Sequence, residues 1–246
     1  MQKLRFKVYV PVFNEEKAIQ PLAGQFDLLR EALAGIGVVL EVRFVDDAST
    51  DGTAQELRKA GKGRPYWGVV RHPQNRGLKG VLETVLALES GSHPPKGHLG
   101  IGLLDGDNTH PPMTFFPMVL KLMQGFDVVV ASRFQPGSFV EGLSFPRRAY
   151  SWMASWLYRC SWRIPNLRDY TCGFRAYRAD LFWKASGFKF KSQSFASMAE
   201  FLRPFHRAGA IFGEVPFCLR YDLKKGRSKM KLLRTILESL RLLAGR

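Results

Sequence analysis

Strand-like and helix-like patterns alternate along the first half of this chain, and that alternation restricts its fold more than any other feature. Short apolar runs rich in β-branched residues lie at residues 8–12, 38–45, 67–70, 99–104 and 128–131. Each reads as a buried strand. Helical spacing of apolar residues fills the gaps at 17–34, 53–60, 79–89 and 113–123. Strand followed by helix, repeated in this way, predicts an α/β architecture with a largely parallel central sheet. After Ser132 the pattern stops, and residues 133–168 form a stretch dense in arginine and aromatic side chains that reads as an insertion. A short apolar run at 173–177, a helix around 194–207, a strand at 210–217 and a C-terminal amphipathic helix complete the expected elements. A chain of 246 residues has room for one sizeable core, so a single domain spanning 1–246 is expected.

Charge narrows the partners. The chain carries 37 Lys and Arg against 21 Asp and Glu, a net +16. That balance points to a polyanion: nucleic acid, an anionic membrane or a phosphorylated substrate. Cys160, Cys172 and Cys218 are odd in number and lack metal-ligand or redox spacing, which argues against a disulfide framework and for a reducing, cytoplasmic setting. The N-terminus runs into a strand pattern with no signal-like region. No apolar run approaches the roughly 18–20 residues that span a bilayer, so membrane attachment is expected to be peripheral, on the inner face.

In open parallel sheets, ligands bind beyond the carboxyl ends of the strands, and the acidic clusters fall there. Asp46 and Asp47 end the second strand and lead into Ala48-Ser49-Thr50-Asp51-Gly52-Thr53. Asp51 or Thr53 suits the N-terminus of the next helix. Two adjacent carboxylates repel, however, and a cap needs only one of them. Asp105-Gly106-Asp107 follows the fourth strand, with Asn108-Thr109-His110-Pro111-Pro112 closing the turn. Two carboxylates around a glycine can face one hard cation, and Mg²⁺ or Mn²⁺ suits such oxygen ligands.

Pro11-Val12-Phe13-Asn14-Glu15, the Asp46–Thr53 box, Asn75-Arg76-Gly77, Asp105-Gly106-Asp107 and Ala131-Ser132-Arg133 together resemble the family 2 glycosyltransferases of the A fold, a Rossmann-like domain. Asp169-Tyr170-Thr171-Cys172-Gly173-Phe174-Arg175-Ala176-Tyr177 and Gly226-Arg227-Ser228-Lys229 are similar to later motifs of the polyprenyl-phosphate sugar synthases, the subgroup that includes the dolichyl-phosphate mannose synthases. The resemblance implies transfer of a hexose, with inversion, from a nucleotide sugar (GDP-mannose or a UDP-sugar) to a polyprenyl phosphate. It places Pro11, Phe13, Glu15 and Asp47 around the nucleoside, with Asp46 nearby, and Mg²⁺ or Mn²⁺ on Asp105 and Asp107. The subgroup often has glutamine as a further ligand where this chain has Thr109, so a hydroxyl, Asn108 or water takes that place. Residues 1–132 would form the nucleotide-sugar part and residues 133–246 the acceptor and membrane-facing part.

A hydroxyl acceptor needs a general base, whereas a phosphate is already a nucleophile. Glu200 occupies the position where relatives place that base, and it suits a structural role equally. An anionic acceptor needs cations instead. The resemblance implies Arg133, Arg147 and Ser151 for its phosphate, and Arg147 and Ser151, four apart, share one helix face. Arg220, Arg227 and Lys229 resemble a late loop that closes over the donor diphosphate. Tyr150, Trp152, Trp156, Tyr158 and Trp162 interleave with Arg147, Arg148 and Arg159, and near the C-terminus Leu233, Ile236, Leu237 and Leu240 form one helical face opposite Lys231, Arg234 and Arg241. Amphipathic aromatics and basic residues of this kind suit a lipid headgroup layer. A nucleic-acid-binding protein would use the same charge but leaves the aspartate clusters unexplained, so no nucleic-acid partner is expected. A dehydrogenase is disfavoured because the first strand leads to Pro11-Val12-Phe13-Asn14-Glu15 and not to a glycine fingerprint. Transfer to the hydroxyl of a glycan or glycolipid is the enzymatic alternative.

Overall fold

The structure is a computed structural model of the chain, describing residues 3–90, 97–185, 187–224 and 232–244. The alternating half folds as its periodicity predicts: β1 (Leu4–Val12), α1 (Glu16–Gly35), β2 (Val38–Asp46), α2 (Thr53–Gly61), β3 (Trp67–Arg71), α3 (Gly77–Glu89), β4 (His98–Leu103), α4 (Phe115–Met123) and β5 (Val128–Ser132). Beyond it come β6 (Phe139–Glu141), α5 (Phe145–Trp162), β7 (Arg175–Arg178), α6 (Ala179–Lys184), α7 (Ala196–Glu200), α8 (Arg203–Arg207), β8 (Phe212–Pro216), β9 (Cys218–Arg220) and α9 (Leu232–Ala244).

Seven strands form one sheet in the order β3-β2-β1-β4-β7-β5-β8, and β6 pairs with β9 separately. Every pairing in the large sheet is parallel except those of β7, which runs antiparallel between β4 and β5. Reversing β7 has a geometric result. Arg175 pairs with Leu103, so the segment that enters β7 lies at the same sheet edge as the carboxyl ends of its neighbours. Residues 169–174 therefore join the loops after β1, β2, β4 and β5 along one rim. The core beneath is apolar and close-packed: Val8, Val10, Val42, Phe44, Val128 and Val130 are fully buried, as strands covered on both faces require. Helix α1 packs on β2 and against α2 and α4, while α3 packs with α6. A cluster of Tyr177, Phe182, Phe201 and Phe205, with ring centroids 4.8–6.2 Å apart, consolidates the later half.

One sequence expectation changes, at 194–207, and two others gain detail. Much of the stretch 133–168 is helix: α5 buries Tyr150, Ser151, Ala154, Ser155 and Tyr158, a stripe at three- and four-residue spacing made partly of hydroxyl side chains that hydropathy overlooks. The helix at 194–207 is two short helices, because the chain turns at Phe201 and Leu202 and Pro204 sits in the first turn of α8. In α9 the leucine stripe faces outward, with Leu233, Leu237 and Leu240 at 79%, 56% and 50% exposure, while Thr235, Ser239 and Leu242 are buried. Among the described residues no helix is long and apolar enough to cross a membrane.

Candidate active site

The rim loops enclose a cavity of about 680 Å³ that divides by chemistry into two halves. The first half is lined by Pro11, Val12, Phe13, Glu15, Asp47, Asn75, Gly77, Asp105, Asp107, Thr109 and His110. The second is lined by Arg133, Arg147, Tyr150, Ser151, Thr171, Tyr221, Lys224, Arg234 and Ser239.

Capping chemistry fixes the floor of the first half. Asp51 accepts from the amide and hydroxyl of Thr53 (2.9 and 2.5 Å), while Thr53 accepts from the Glu15 amide (2.8 Å) and Glu16 from the Gly52 amide (3.0 Å). The loop after β1 is thereby tied to the start of α2. Asp46 accepts from the Ser49 amide at 2.9 Å and faces Arg71 at 3.3 Å, fully buried and outside the cavity lining. Asp47 lines the cavity, and its carboxylate accepts from the amides of Arg76 and Gly77 (both 2.8 Å) and meets the His72 ring at 2.7 Å. The adjacent aspartates thus serve different turns: Asp46 shapes its own, and Asp47 holds the loop that opens α3.

Gly106 allows the second acidic cluster to bend. A methyl group there would stand 2.6 Å from the Pro11 carbonyl oxygen and 2.4 Å from Val12, so the loop lies directly on the end of β1. Thr109 donates its hydroxyl (2.6 Å) and its amide (3.2 Å) to one oxygen of Asp107; the other oxygen pairs with the Lys224 ammonium. Burial opposes charge on Asp107, yet Lys224, His110 and Thr109 hold its carboxyl below the usual range. Asp105 is pushed the other way, by burial and by the Asp107 carboxylate, with the His110 ring, 3.8 Å away, opposing. A carboxyl whose charge is opposed by burial and by a charged neighbour two residues on is a fitting seat for a hard divalent cation. Among the described residues no set of three His, Cys, Asp or Glu forms a complete cage, which suits an ion that shares its coordination with water and substrate phosphate. Thr109 acts here through Asp107, by hydrogen bonding.

The second half is built on a buried ion pair. Arg133 grips Asp169 through Nε and Nη2 (both 2.7 Å) and donates Nη2 to Thr171 at 2.6 Å. Asp169 also accepts from the amides of Arg133 (3.1 Å) and Cys172 (3.0 Å) and is fully buried. Burial alone would raise its pKa, but the Arg133 guanidinium and these hydrogen bonds hold it below the ordinary carboxylate range. Ser151 on α5 meets Thr171 at 2.9 Å. Arg147, one turn earlier, pairs with the Tyr221 hydroxyl and lies over its ring. Arg133, Arg147 and Ser151 therefore converge. Cys172 also lines this half, but burial pushes its thiol up to about 12, so it is no nucleophile at neutral pH.

Arg220 and Glu200 lie elsewhere. Arg220 pairs with Asp222 (2.8 Å) and Glu141 (3.2 Å) outside the cavity lining. Glu200 is buried, with its two oxygens accepting from the amides of Lys191 (2.8 Å) and Ser192 (2.9 Å), and it does not line the cavity. Arg227 and Lys229 lie outside the described residues, as does Lys231. Sequence reasoning overlooked Lys224 and Tyr221, and gave Arg234 a membrane-facing role where it lines the cavity. A motif-based search would have flagged none of them, because their place in the site depends on β9 and α9 folding back over the rim. It had quoted Asp169 and Thr171 within a motif without assigning them a role.

Residues 7–185 match the family described as Glycosyl transferase family 2. The undecaprenyl-phosphate mannosyltransferase of Micrococcus luteus is 27% identical over 227 residues, covering 92% of this chain and 88% of that protein. The dolichol-phosphate mannosyltransferase of Pyrococcus furiosus is 27% identical over 97% of this chain but only 62% of its own length. For the dodecaprenyl-phosphate galacturonate synthase of Rhizobium johnstonii the values are 31%, 74% and 50%, so the chain spans about half to two thirds of those longer relatives. Among solved structures, glucosyl-3-phosphoglycerate synthase from Mycobacterium tuberculosis, in complex with Mn²⁺, UDP and glucosyl-3-phosphoglycerate, superposes with a TM-score of 0.68 at 20% identity, covering 98% of this chain and 80% of that one. A likeness at that identity speaks for the fold alone. The seven-stranded sheet, the acidic rim and the matched span agree, and the chain is a member of glycosyl transferase family 2.

Proposed function

We propose that this glycosyltransferase moves a hexose from a nucleotide sugar to a polyprenyl phosphate, with inversion and with help from a divalent cation, at a membrane surface. The observation that carries the acceptor class is the cationic cluster of the cavity, where Arg133, Arg147, Lys224 and Arg234 stand with the hydroxyls of Ser151, Thr171 and Tyr221, while Glu200, the base expected for an alcohol acceptor, is turned to the amides of Lys191 and Ser192 outside that lining. A phosphate needs no base and gains from guanidinium groups shaped for it. The names of the Micrococcus, Pyrococcus and Rhizobium relatives support the same acceptor class.

In this reading residues 1–132 seat the donor and residues 133–246 seat the acceptor. Pro11, Phe13, Glu15 and Asp47 surround the nucleoside. Asp105 and Asp107 would hold Mg²⁺ or Mn²⁺, which when bound would offset the charge of the donor diphosphate and of the departing nucleotide. Arg133 and Arg147 draw the acceptor phosphate beside that diphosphate in spite of their mutual repulsion. The Asp169 carboxylate keeps the Arg133 fork aimed. A phosphate oxygen attacks the anomeric carbon on the face opposite the leaving group, which inverts its configuration.

The membrane side is assigned to α5 and α9, which pack together. Phe145, Trp152 and Trp156 on α5 and Leu233, Leu237 and Leu240 on α9 are all at least half exposed. Arg148, Arg159, Arg234 and Arg241 are exposed on the same helices. Apolar side chains with flanking arginines fit the headgroup layer of an anionic leaflet. Both helices also supply cavity residues, so a lipid acceptor would reach the site from the surface they form. The test offers a panel of GDP- and UDP-sugars with undecaprenyl phosphate or undecaprenol, with and without Mn²⁺, and follows the lipid product by mass spectrometry. Product from the phosphate but not the alcohol is expected. Equal transfer to undecaprenol, or transfer only to a water-soluble glycan, would overturn the acceptor assignment.

A further inference from the structure

The Lys224 ammonium occupies the only oxygen of Asp107 that Thr109 leaves open. Neither partner is a surface group, since the Lys224 and Asp107 side chains are 10% and 13% exposed. A divalent cation that takes that oxygen meets the ammonium at the same atom, and two positive charges compete there in a site shielded from water. From this geometry we infer that Lys224 is an exchangeable counter-ion: it holds Asp107 until the metal and the donor diphosphate enter, then transfers its charge to the diphosphate. The inference rests on the reading above that Asp105 and Asp107 are the metal seat, and it adds a residue and an order of events.

The backbone that leads into Lys224 suits a side-chain exchange. The amide of Arg220 donates to the Thr109 carbonyl at 2.9 Å, which pins the end of β9 to the aspartate loop. Gly142, with φ of 73°, lets the turn at Tyr221–Leu223 lie against it, since a Cβ there would stand 2.5 Å from the Asp222 nitrogen. With the turn fixed on both sides, Lys224 exchanges partners by rotation of its own long side chain. The Tyr221 ring lies 5.6 Å beneath the ammonium and 5.6 Å from the Arg147 guanidinium. It offers the displaced cation a face to slide over and keeps it next to the acceptor arginine. After exchange, Lys224 stands on the donor diphosphate while Arg133 and Arg147 stand on the acceptor phosphate.

The exchange predicts effects of opposite sign from one substitution. In Lys224→Met, Mn²⁺ binding without nucleotide, followed by electron paramagnetic resonance, should tighten by roughly tenfold, because the competitor is gone. In the same variant, binding of GDP or UDP in saturating Mn²⁺, measured by calorimetry, should weaken by a similar factor, because the diphosphate has lost a cation. Lys224→Arg, which keeps the charge, should stay near wild type in both assays, and thermal melting identifies any loss of folding. Mn²⁺ affinity that is unchanged or weaker in Lys224→Met, or nucleotide affinity that does not fall, overturns the exchange. A wild-type protein that binds neither Mn²⁺ nor nucleotide would instead bring down the metal and donor reading beneath it.

Discussion

Replacing Asp169 by asparagine tests whether the acceptor half of the site depends on its buried ion pair. The carboxylate is fully buried and receives both prongs of Arg133 at 2.7 Å, together with the amides of Arg133 and Cys172. An asparagine side chain would fit the space but present an NH₂ group to a guanidinium, leaving a buried charge without its counter-ion. Breaking such a pair from one side costs about 3–5 kcal/mol. For a chain of this size each kcal/mol moves the melting temperature by about 2–4 °C, so the two ranges give a fall of about 6–20 °C. Circular dichroism melts of wild type and Asp169→Asn measure it directly. The double variant Arg133→Met with Asp169→Asn removes the stranded charge and should recover about half of the loss or more. The pair also sets an acid limit. Because the folded pKa of Asp169 is depressed, the unfolded chain binds the extra proton first as pH falls. The contribution is whole above the unfolded carboxylate value and disappears as pH drops through the lower folded value. Asp169→Asn should therefore flatten the stability profile below about pH 4. A melting temperature within about 2 °C of wild type, or an unchanged acid limb, would refute the claim that this pair organises the acceptor loop.

Three further outcomes follow from the same geometry. Glu200→Gln should cost about 1–3 kcal/mol in a denaturant titration, since a buried carboxylate taking two amides is replaced by a weaker acceptor, yet the pH profile of kcat should keep its shape; turnover abolished with donor affinity intact would reveal a general base and a hydroxyl acceptor. Gly106→Ala forces a methyl group to within 2.6 Å of the Pro11 carbonyl oxygen, and by displacing Asp105 and Asp107 it should lower turnover by about a hundredfold and weaken Mn²⁺ binding, whereas wild-type Mn²⁺ affinity would show that the loop has slack. Leu237→Glu on the exposed face of α9 should leave stability within about 0.5 kcal/mol but reduce co-sedimentation with vesicles containing phosphatidylglycerol, and unchanged sedimentation would remove α9 from the docking surface.

How much of this was legible in the sequence depends on the range of the interactions involved. Strands β1 to β5 and helices α1 to α4 show themselves because each buries a periodic apolar face, a property of a dozen neighbouring residues. Asp105 and Asp107 were placed by the same logic, as residues following a buried strand. Strand β7 was not legible as an antiparallel insertion, since its direction is set by pairing with Leu103 and Val130, both distant in the chain. Its reversal is what carries Asp169 and Thr171 to the rim. Arg220 and Lys224 show the same limit from the other side. Both are basic residues near one late motif, but β9 pairing with β6 turns Arg220 toward Glu141 and Asp222, while Lys224, 117 residues from Asp107, reaches the aspartate.

Helix α9 carries the argument one step further, because its apolar stripe was expected to meet lipid, whereas the contacts that hold it in that orientation were not visible. A leucine stripe on a helix beside a folded domain ordinarily turns inward, since burying each leucine yields about 1.5–3 kcal/mol. Here Thr235 and Ser239 turn inward with Leu242, while Leu233, Leu237 and Leu240 turn out. Specific contacts hold this orientation: Ser239 meets the Tyr150 hydroxyl at 3.1 Å, and Glu238 accepts from the amides of Gln193 (2.9 Å) and Ser194 (2.8 Å), residues that line the cavity. The polar side of α9 thus completes the wall of a site proposed to hold phosphate, and its apolar side is left with Trp152 and Trp156 of α5 on the outer surface. A helix that buries two hydroxyl side chains and leaves three leucines outside is favoured where the outside is itself apolar. Under the proposed acceptor that condition is met at one place, the membrane from which a polyprenyl phosphate would extend its charged head into the cavity while its tail stays in lipid.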